Sequence, residues 1–243
     1  MSEEHWREQG EVAVVVPAYR EEALLAKTVQ TIPGWVDQVV VVDDGSPDET
    51  FKEAVRLARE EDRVEVIRLG YNQGVGAAIV AGYRRAMEEG ADAVAVMAAD
   101  AQMDPDDLED VVAPVMEGRA EYSKGNRLAH PEIEAMPPVR RFGTWILGRL
   151  TGWVAGYETL EDAQCGYTAI SAEVLEELAL DELYPHYGYP NDLLIRLGEM
   201  GARVSQPVVR PVYGEEESGL SVRAVIPTIT AILIGGWVRK GER

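Results

Sequence analysis

The sequence predicts an α/β fold in which a mostly parallel sheet is flanked by helices. Four short apolar, β-branched segments alternate with four segments that carry apolar residues at helical spacing. Polar and acidic residues directly follow three of the four apolar segments. Because ligands of such sheets bind at the carboxyl ends of the strands, the same alternation predicts where functional residues lie.

The predicted strands of the first half are short, buried and regularly spaced. They span residues 12–19, 38–44, 63–69 and 92–100. The helices between them have apolar faces within 24–32, 75–86 and 108–115. Ser46 and Glu49 form a capping box with Pro47 at the first helical position, and Asp104 is placed to cap the helix that follows Pro105.

The alternation loosens from about residue 119. Here we predict a strand ending at Asn126, a helix through Phe142 and Trp153, a strand near 166–171 and a helix at 190–201. No composition break separates this half from the first. We therefore interpret residues 1–221 as a single domain.

Composition excludes several classes of protein. The chain has 23 Lys and Arg against 43 Asp and Glu, a formal net charge of −20, which argues against binding to nucleic acid. Cys165 is the only cysteine, so no intramolecular disulfide forms and a reducing compartment fits. The charged N-terminus lacks the apolar region of a secretion signal, which predicts a cytoplasmic location.

The carboxyl ends of the predicted strands carry the candidate functional residues. The first ends in PAYRE (17–21) and the second in VDDGS (42–46), and either alone is also typical of a polar turn. The fourth leads into Asp100 and Gln102, whose side-chain oxygens suit Mg²⁺ or Mn²⁺.

Six segments together resemble glycosyltransferase family 2, especially the branch of dolichyl-phosphate mannose synthases and polyprenyl-phosphate sugar transferases. They are PAYRE, VVVDDGSPDET, RLGYNQGVGAAIVAGYRRA, ADAQMDPDDL, KGNRL and DAQCGYTAIS. The resemblance implies a GT-A fold, a nucleotide-diphosphate-sugar donor and Mg²⁺ or Mn²⁺ as cofactor. It divides the domain into a nucleotide-binding half, about 11–118, and an acceptor half, about 119–221.

The resemblance also implies residue roles. The nucleotide is expected to contact Pro17, Ala18, Tyr19, Glu21, Val42, Asp43, Asp44, Asn72, Gly76, Ala98 and Ala99. Asp100 and Gln102 are expected to face the metal, and Lys124 and Arg127 the diphosphate. Ala98 stands where the family usually has an acidic residue, which leaves two hypotheses: Asp100 with Gln102 suffices for turnover, or the chain is a catalytically silent nucleotide-sugar-binding or scaffold protein.

Charge supports a phosphate site in the second half. Residues 119–149 carry a net charge of +3, although the rest of the chain carries −23. Lys124 and Arg127 belong to this basic region, and guanidinium groups bind phosphate oxygens well.

Asp162 and Asp192 are the candidate catalytic bases. A hydroxyl acceptor would need such a base, whereas a phosphate acceptor is already an anion at neutral pH. We rank Asp162 first because it lies in the DAQCG motif. Asp192 is equally explained by the start of a helix, where carboxylates are favourable.

The segment 222–243 has a net charge of +3 and a 15-residue apolar stretch, too short to span a bilayer. It predicts an amphipathic interfacial helix, the alternative being a helix docked on the domain. Residues 213–221 are typical of a loop that closes over a donor, or of a solvated turn.

The functional prediction is an inverting, metal-dependent, non-processive glycosyltransferase. It would move a sugar from a UDP- or GDP-sugar to a polyprenyl phosphate, as a peripheral protein at the inner face of the cell membrane. A soluble family 2 enzyme with a small or saccharide acceptor is the alternative among enzymes.

Overall fold

The computed structural model describes residues 5–8, 10–212 and 222–241, so the loop predicted at 213–221 lies outside the described residues. Seven strands form one sheet of order β3-β2-β1-β4-β6-β5-β7. They are β1 (Val12–Ala18), β2 (Gln38–Asp43), β3 (Val64–Arg68), β4 (Ala93–Val96), β5 (Tyr122–Lys124), β6 (Thr168–Ser171) and β7 (Val204–Ser205). The first four are mutually parallel, and β6 runs antiparallel between β4 and β5.

Helices cover both faces of this sheet. They are α1 (Leu25–Thr31), α2 (Thr50–Glu60), α3 (Val75–Glu88), α4 (Leu108–Met116), α5 (Pro138–Ala155), α6 (Ala172–Glu177), α7 (Tyr189–Met200) and α8 (Val222–Gly241). Val14 and Val16 of β1 pack into the core shared with α1, α2 and α4, while Ala13 and Val15 pack into the core with α3, α6 and α7. Burial on both faces explains why β1 is continuously apolar. The predicted single-domain α/β fold is confirmed.

Two local predictions need correction. The fourth strand ends at Val96, and the chain leaves the sheet before Asp100. The capping box at Ser46 is wrong, because α2 begins at Thr50 and the Ser46 hydroxyl instead accepts a hydrogen bond from the backbone N–H of Arg20, 3.1 Å away. The predicted cap at Asp104 is confirmed, since its carboxylate accepts a hydrogen bond from the Asp106 N–H at 3.1 Å.

Close packing of α5 fixes the segment that leads to the DAQCG motif. A Cβ at Gly148 would lie 1.8 Å from the backbone oxygen of Glu161. The helix therefore touches the backbone directly before Asp162 with no side chain between them. Gly148 is a contact that positions the motif, not a flexible joint.

We expect Gly148→Ala to destabilise the fold by about 1–3 kcal/mol, because the added methyl group overlaps a backbone atom that cannot move alone. The free energy of unfolding, measured by urea titration, tests this expectation.

Gly143→Ala is the matched control in the same helix. No heavy atom outside the helix and its chain neighbours lies within 4 Å of a Cβ at Gly143, so this variant should gain roughly 0.5–1 kcal/mol from helix propensity. Equal effects of the two substitutions would contradict the close packing at Gly148.

Candidate active site

The carboxyl ends of β1 and β2 lie side by side. Ala18 pairs with Asp43 in the parallel register, and the Asp44 N–H donates to the Ala18 carbonyl at 2.9 Å. Tyr19 and Glu21 therefore emerge next to the two aspartates. Pro17 and Val42 are buried within the paired strands, and only the residues after them reach the edge of the sheet.

Asp43 has a buried carboxylate with unused acceptor capacity. Its Oδ1 accepts a hydrogen bond from the Ser46 N–H at 3.1 Å. Arg68 Nε lies 3.3 Å from Oδ2 without donating to it, so Oδ2 has no hydrogen-bond donor within the described part of the chain. A buried oxygen of this kind is a good acceptor for a ligand N–H or O–H group.

Asp44 and Gly76 are held by the protein itself. The two carboxylate oxygens of Asp44 accept hydrogen bonds from the N–H groups of Gln73 and Gly74 at 2.7 and 2.8 Å. The Gly76 N–H donates to the Pro185 carbonyl at 2.8 Å, and a Cβ there would lie 2.6 Å from the Tyr184 oxygen. Both residues position loops. Asn72, on the same loop, is exposed.

Sequence reasoning missed Arg20. It has a left-handed backbone with φ of 61°, and its guanidinium carbon lies 5.4 Å from the centroid of the Tyr19 ring. Non-glycine residues held in this conformation are often found at functional sites. Tyr19 and Arg20 are both exposed at the edge where Asp43 is buried.

A cavity of about 260 Å³ lies beyond the end of β4 and is lined by β5, α5 and the DAQCG segment. Ala98 lines it, and Ala99 is buried beside it. Its charged and carboxamide side chains are Asp100, Gln102, Lys124, Arg127, Arg140, Gln164 and Arg210. The structure thus brings together the residues predicted for the metal and for the diphosphate. Gln164 and Arg210 were not predicted.

The metal-binding capacity of the cavity rests on Asp100 and Gln102. Asp100 Oδ1 accepts a hydrogen bond from the Gln102 N–H at 3.0 Å, which fixes the turn that carries both side chains. No cluster of three or more His, Cys, Asp or Glu side chains suited to a metal ion exists among the described residues. One carboxylate with one carboxamide fits Mg²⁺ or Mn²⁺ that takes its other ligands from water and a diphosphate.

Arg127 and Asp162 form a bidentate ion pair in which the Asp162 carboxylate is fully buried and the Arg127 side chain is 18% exposed. Arg127 Nε donates to Asp162 Oδ2 at 2.8 Å and Nη2 donates to Oδ1 at 3.1 Å. Asp162 Oδ1 also accepts the N–H groups of Gln164 and Cys165, each at 3.0 Å. The pair therefore joins the end of β5 to the DAQCG segment and fixes the direction of the Arg127 guanidinium.

Asp162 is poorly suited to act as a general base. Burial raises its pKa, but Arg127, Lys124 and the hydrogen bonds outweigh burial, and the pKa lies below its ordinary range. A carboxylate with a lowered pKa that accepts hydrogen bonds from five N–H groups holds its charge and accepts a proton reluctantly. The geometry favours a positioning role.

Lys124 is fully buried at the inner wall of the cavity. Its Nζ donates to the Cys165 carbonyl. Burial, aided by the charge of Arg127, lowers the pKa of Lys124 to about 8 even though Cys165 and Asp162 favour its charged form. The ammonium group is charged at neutral pH and adds positive potential to the cavity.

Asp192 does not reach this cavity. Its Oδ2 accepts hydrogen bonds from the Tyr184 N–H at 3.0 Å and from Arg196 Nε at 3.2 Å. It lines a separate cavity of about 600 Å³ beside α8, together with Arg239. The structure therefore separates the two predicted bases, and Asp192 serves the start of α7.

The chain is similar to known proteins. Residues 13–179 match the family described as Glycosyl transferase family 2. The UDP-N-acetylglucosamine–dolichyl-phosphate N-acetylglucosaminyltransferase of Methanococcus voltae is 29% identical over 84% of this chain and 86% of its own length. The polyprenol monophosphomannose synthase of Mycolicibacterium smegmatis is 30% identical over 86% of this chain and 79% of its own length.

The fold also matches solved structures. Glucosyl-3-phosphoglycerate synthase from Mycobacterium tuberculosis, in complex with Mn²⁺, UDP and phosphoglyceric acid, superposes with a TM-score of 0.72. The match covers 97% of this chain and 81% of that one at 18% identity. At this identity the likeness establishes a shared GT-A fold.

The pKa of Lys124 predicts a pH effect on stability. Between pH 8 and about 10.5 the folded chain has released a proton that the unfolded chain still binds, so stability should rise with pH in this window. The difference in unfolding free energy between wild type and Lys124→Met isolates this effect. We expect that difference to rise by at most about 1.4 kcal/mol per pH unit from pH 8 to 9.5 and to be constant below pH 7; a flat difference throughout would contradict it.

The ion pair predicts that substitution of either partner lowers the free energy of unfolding substantially, and that the effects of the two substitutions are not additive. Asp162→Asn should destabilise the fold by about 3–5 kcal/mol, because Arg127 loses its partner in a buried site. The combined Asp162→Asn/Arg127→Gln variant should lose less than the sum of the two single variants, as measured by a double-mutant cycle in urea. The pKa of Asp162 is lower in the folded chain than its ordinary value of 3.8. The stabilisation that its charge provides is therefore complete above about pH 3.8 and is lost as the pH falls through the pKa of the folded state.

The exposed pair of Glu121 and Arg203 is the control, with its arginine 59% exposed. Glu121→Gln should cost no more than about 1 kcal/mol. A comparable cost at both pairs would show that burial does not strengthen the Arg127–Asp162 interaction.

Proposed function

Because this chain belongs to glycosyl transferase family 2 and is a glycosyltransferase, we propose that it transfers a sugar from a UDP- or GDP-sugar to a polyprenyl phosphate, with inversion at the anomeric carbon. The observation that carries the proposal is that four basic side chains line the same cavity as Asp100 and Gln102. The names of the relatives from M. voltae and M. smegmatis support a polyprenyl-phosphate acceptor.

The cavity has the charge that two phosphorylated substrates require. It is lined by Lys124, Arg127, Arg140 and Arg210 and by the carboxylate of Asp100, although the chain as a whole carries −20. Asp162 pairs with Arg127, and Glu132 and Asp104 pair with Arg210, so the positive charge of these side chains is partly compensated. A sugar-nucleotide diphosphate and a lipid phosphate would bring several negative charges to this space. Cations that are already oriented stabilise the charge that develops on a leaving diphosphate.

The donor is proposed to lie along the edge formed by β1, β2 and the end of β4. Asp43 would accept a hydrogen bond from the base or ribose, and Tyr19 would pack against the base. Asp100 and Gln102 would hold Mg²⁺ or Mn²⁺ together with diphosphate oxygens. The ion would act as a Lewis acid on the leaving diphosphate.

A phosphate acceptor suits a cavity without a suitable base. Asp162 forms an ion pair with Arg127, and Asp192 lines another cavity. In the proposed step a phosphate oxygen of the acceptor attacks the anomeric carbon, and the bond from that carbon to the diphosphate oxygen breaks. The electron pair leaves with the diphosphate, and no proton transfer is needed because the nucleophile is already an anion.

We place the protein at the inner face of the cell membrane, held there in part by the C-terminal segment 222–243. Within the described ranges no helix is long and apolar enough to cross a bilayer. A lipid acceptor would require contact between the protein and the bilayer surface.

A small phosphorylated acceptor is the second candidate. The structurally similar synthase was crystallised with phosphoglyceric acid, and the same cations would bind such a molecule. Transfer assays with undecaprenyl phosphate and with 3-phosphoglycerate as competing acceptors separate the two. Product formed only on the lipid supports our proposal, and product formed only on 3-phosphoglycerate overturns it.

Asp100→Ala should reduce metal-dependent transfer by at least about a hundredfold, because the cavity loses its only carboxylate ligand. Transfer is measured with UDP- and GDP-sugars in Mn²⁺ and in Mg²⁺. Asp106→Ala is the control, since this exposed carboxylate lies on the following turn and should leave turnover unchanged.

Thermal stabilisation by UDP and GDP, with and without Mn²⁺, distinguishes loss of chemistry from loss of binding. Metal-dependent stabilisation without any transfer by wild-type protein would favour a catalytically silent binding protein, as Ala98 allows. Full activity of Asp100→Ala would contradict the assigned metal site.

A further inference from the structure

Acidic residues are distributed very unevenly over this chain. The two longest helices, α5 and α8, contain six Lys or Arg and no Asp or Glu. The rest of the chain consequently carries a net charge of −26. Two helices that lack acids in so acidic a protein indicate a surface with an anionic partner.

The outer side of α5 is strongly apolar. Its large exposed side chains recur at helical spacing: Val139, Phe142, Trp145, Ile146, Leu150 and Trp153. Phe142 and Trp153 are 62% and 64% exposed, and the rings of Phe142 and Trp145 stack with centroids 6.2 Å apart. An apolar stripe with aromatic residues that no described element covers marks an interaction surface.

Helix α8 extends the same surface. It packs against α5 and α7, and Lys240 Nζ donates to the Trp153 carbonyl at 2.8 Å. Ile234, Trp237 and Val238 nevertheless remain exposed, with Trp237 at 56%. We call the exposed residues of α5 and α8 together the basic apolar face.

We propose that the basic apolar face binds the surface of an anionic lipid bilayer, and that α5 is its principal contact. Trp and Phe side chains insert at the level of lipid headgroups, and Arg and Lys bind anionic lipids around them. Arg141 and Arg149 are exposed and form no ion pair with a carboxylate among the residues that the structure describes, although Arg149 donates to the Glu158 carbonyl at 3.0 Å.

Charge decides against a second copy of the chain as the occupant. A symmetric dimer through this face would bring the same patch of each chain together. Cations would then face cations, since neither α5 nor α8 supplies a carboxylate. An anionic bilayer satisfies both the apolar and the cationic parts of the face.

The face also reaches the proposed active site. Arg140 belongs to the first turn of α5 and lines the cavity with Asp100 and Arg127. A bilayer bound along α5 would therefore bring lipid phosphates to the mouth of the cavity. This step deepens the peripheral location proposed above and rests on that proposal, but lipid binding itself requires no sugar nucleotide.

Vesicle flotation of the full chain tests the proposal. We expect binding to vesicles that contain phosphatidylglycerol and at least about tenfold weaker binding to pure phosphatidylcholine. Phe142→Ser/Trp145→Ser and Arg141→Glu/Arg149→Glu should each weaken binding to the anionic vesicles by at least about tenfold. None of these four residues lines the cavity.

Lys52→Glu/Arg59→Glu is the matched control, because it makes the same charge change on the exposed side of α2. Its binding should equal that of wild type, and circular dichroism should show all variants folded. Equal losses in the control and α5 charge variants would overturn the proposal, as would wild-type protein that fails to float.

Sedimentation measurements without lipid test whether a second copy of the chain covers the basic apolar face instead. A monomer supports the proposal. A wild-type dimer that Phe142→Ser/Trp145→Ser converts to monomer, with no vesicle binding by either protein, would overturn it. The vesicle and sedimentation experiments contain no sugar nucleotide and no acceptor. A negative result would therefore overturn the membrane proposal without deciding whether the protein transfers sugar, which the transfer assays test separately.

Discussion

The bidentate pair of Arg127 and Asp162 is the interaction on which the cavity depends. It joins the end of β5 to the DAQCG segment, which would otherwise be two separate loops. Asp162 then aligns the N–H groups of Gln164 and Cys165, and the Cys165 carbonyl holds Lys124. One buried carboxylate thus compensates a guanidinium and an ammonium group that would repel each other. Without it, these two cations would lie close together in the folded chain with no compensating charge, which would lower the stability of the fold.

The same segment is tied to α5 by polar contacts in the core. Gln164 Nε2 donates to Asn191 Oδ1 at 2.6 Å, and Asn191 Nδ2 donates to Thr151 Oγ1 at 2.7 Å. Asn191 and Thr151 are fully buried, so these hydrogen bonds fix the rotation of α5 and α7 relative to the cavity. With Gly148 in backbone contact, α5 has one defined orientation. Its buried side supports the wall of the cavity, and its other side presents Phe142 and Trp145 to the surroundings.

Sequence reasoning succeeded where chain direction alone determines position. The ends of β1 and β2 meet because parallel neighbours finish at one edge, so Tyr19 and Asp43 could be placed without coordinates. It failed where packing decides which way a side chain faces. Asp192 and Asp162 are both buried acids, but the rotation of α7 directs Asp192 to α8, and no local pattern encodes that rotation. Arg210 follows β7, and only the tertiary fold brings it to the cavity. Gln164 lay inside a recognised motif, where its spacing from Asp162 was a usable signal.

The uneven charge has a consequence for how the molecule would approach a membrane. An anionic bilayer repels the −26 of the main body and attracts the six cations of α5 and α8. These forces act over a Debye length of about 8 Å at physiological salt, so they orient the protein before any side chain inserts. The orientation with the lowest electrostatic energy would place α5 against the lipid. Arg140 on that helix lines the cavity. The negative charge of the body opposes the binding of anionic substrates, but at a membrane the same charge would turn the cavity toward the lipid phosphates.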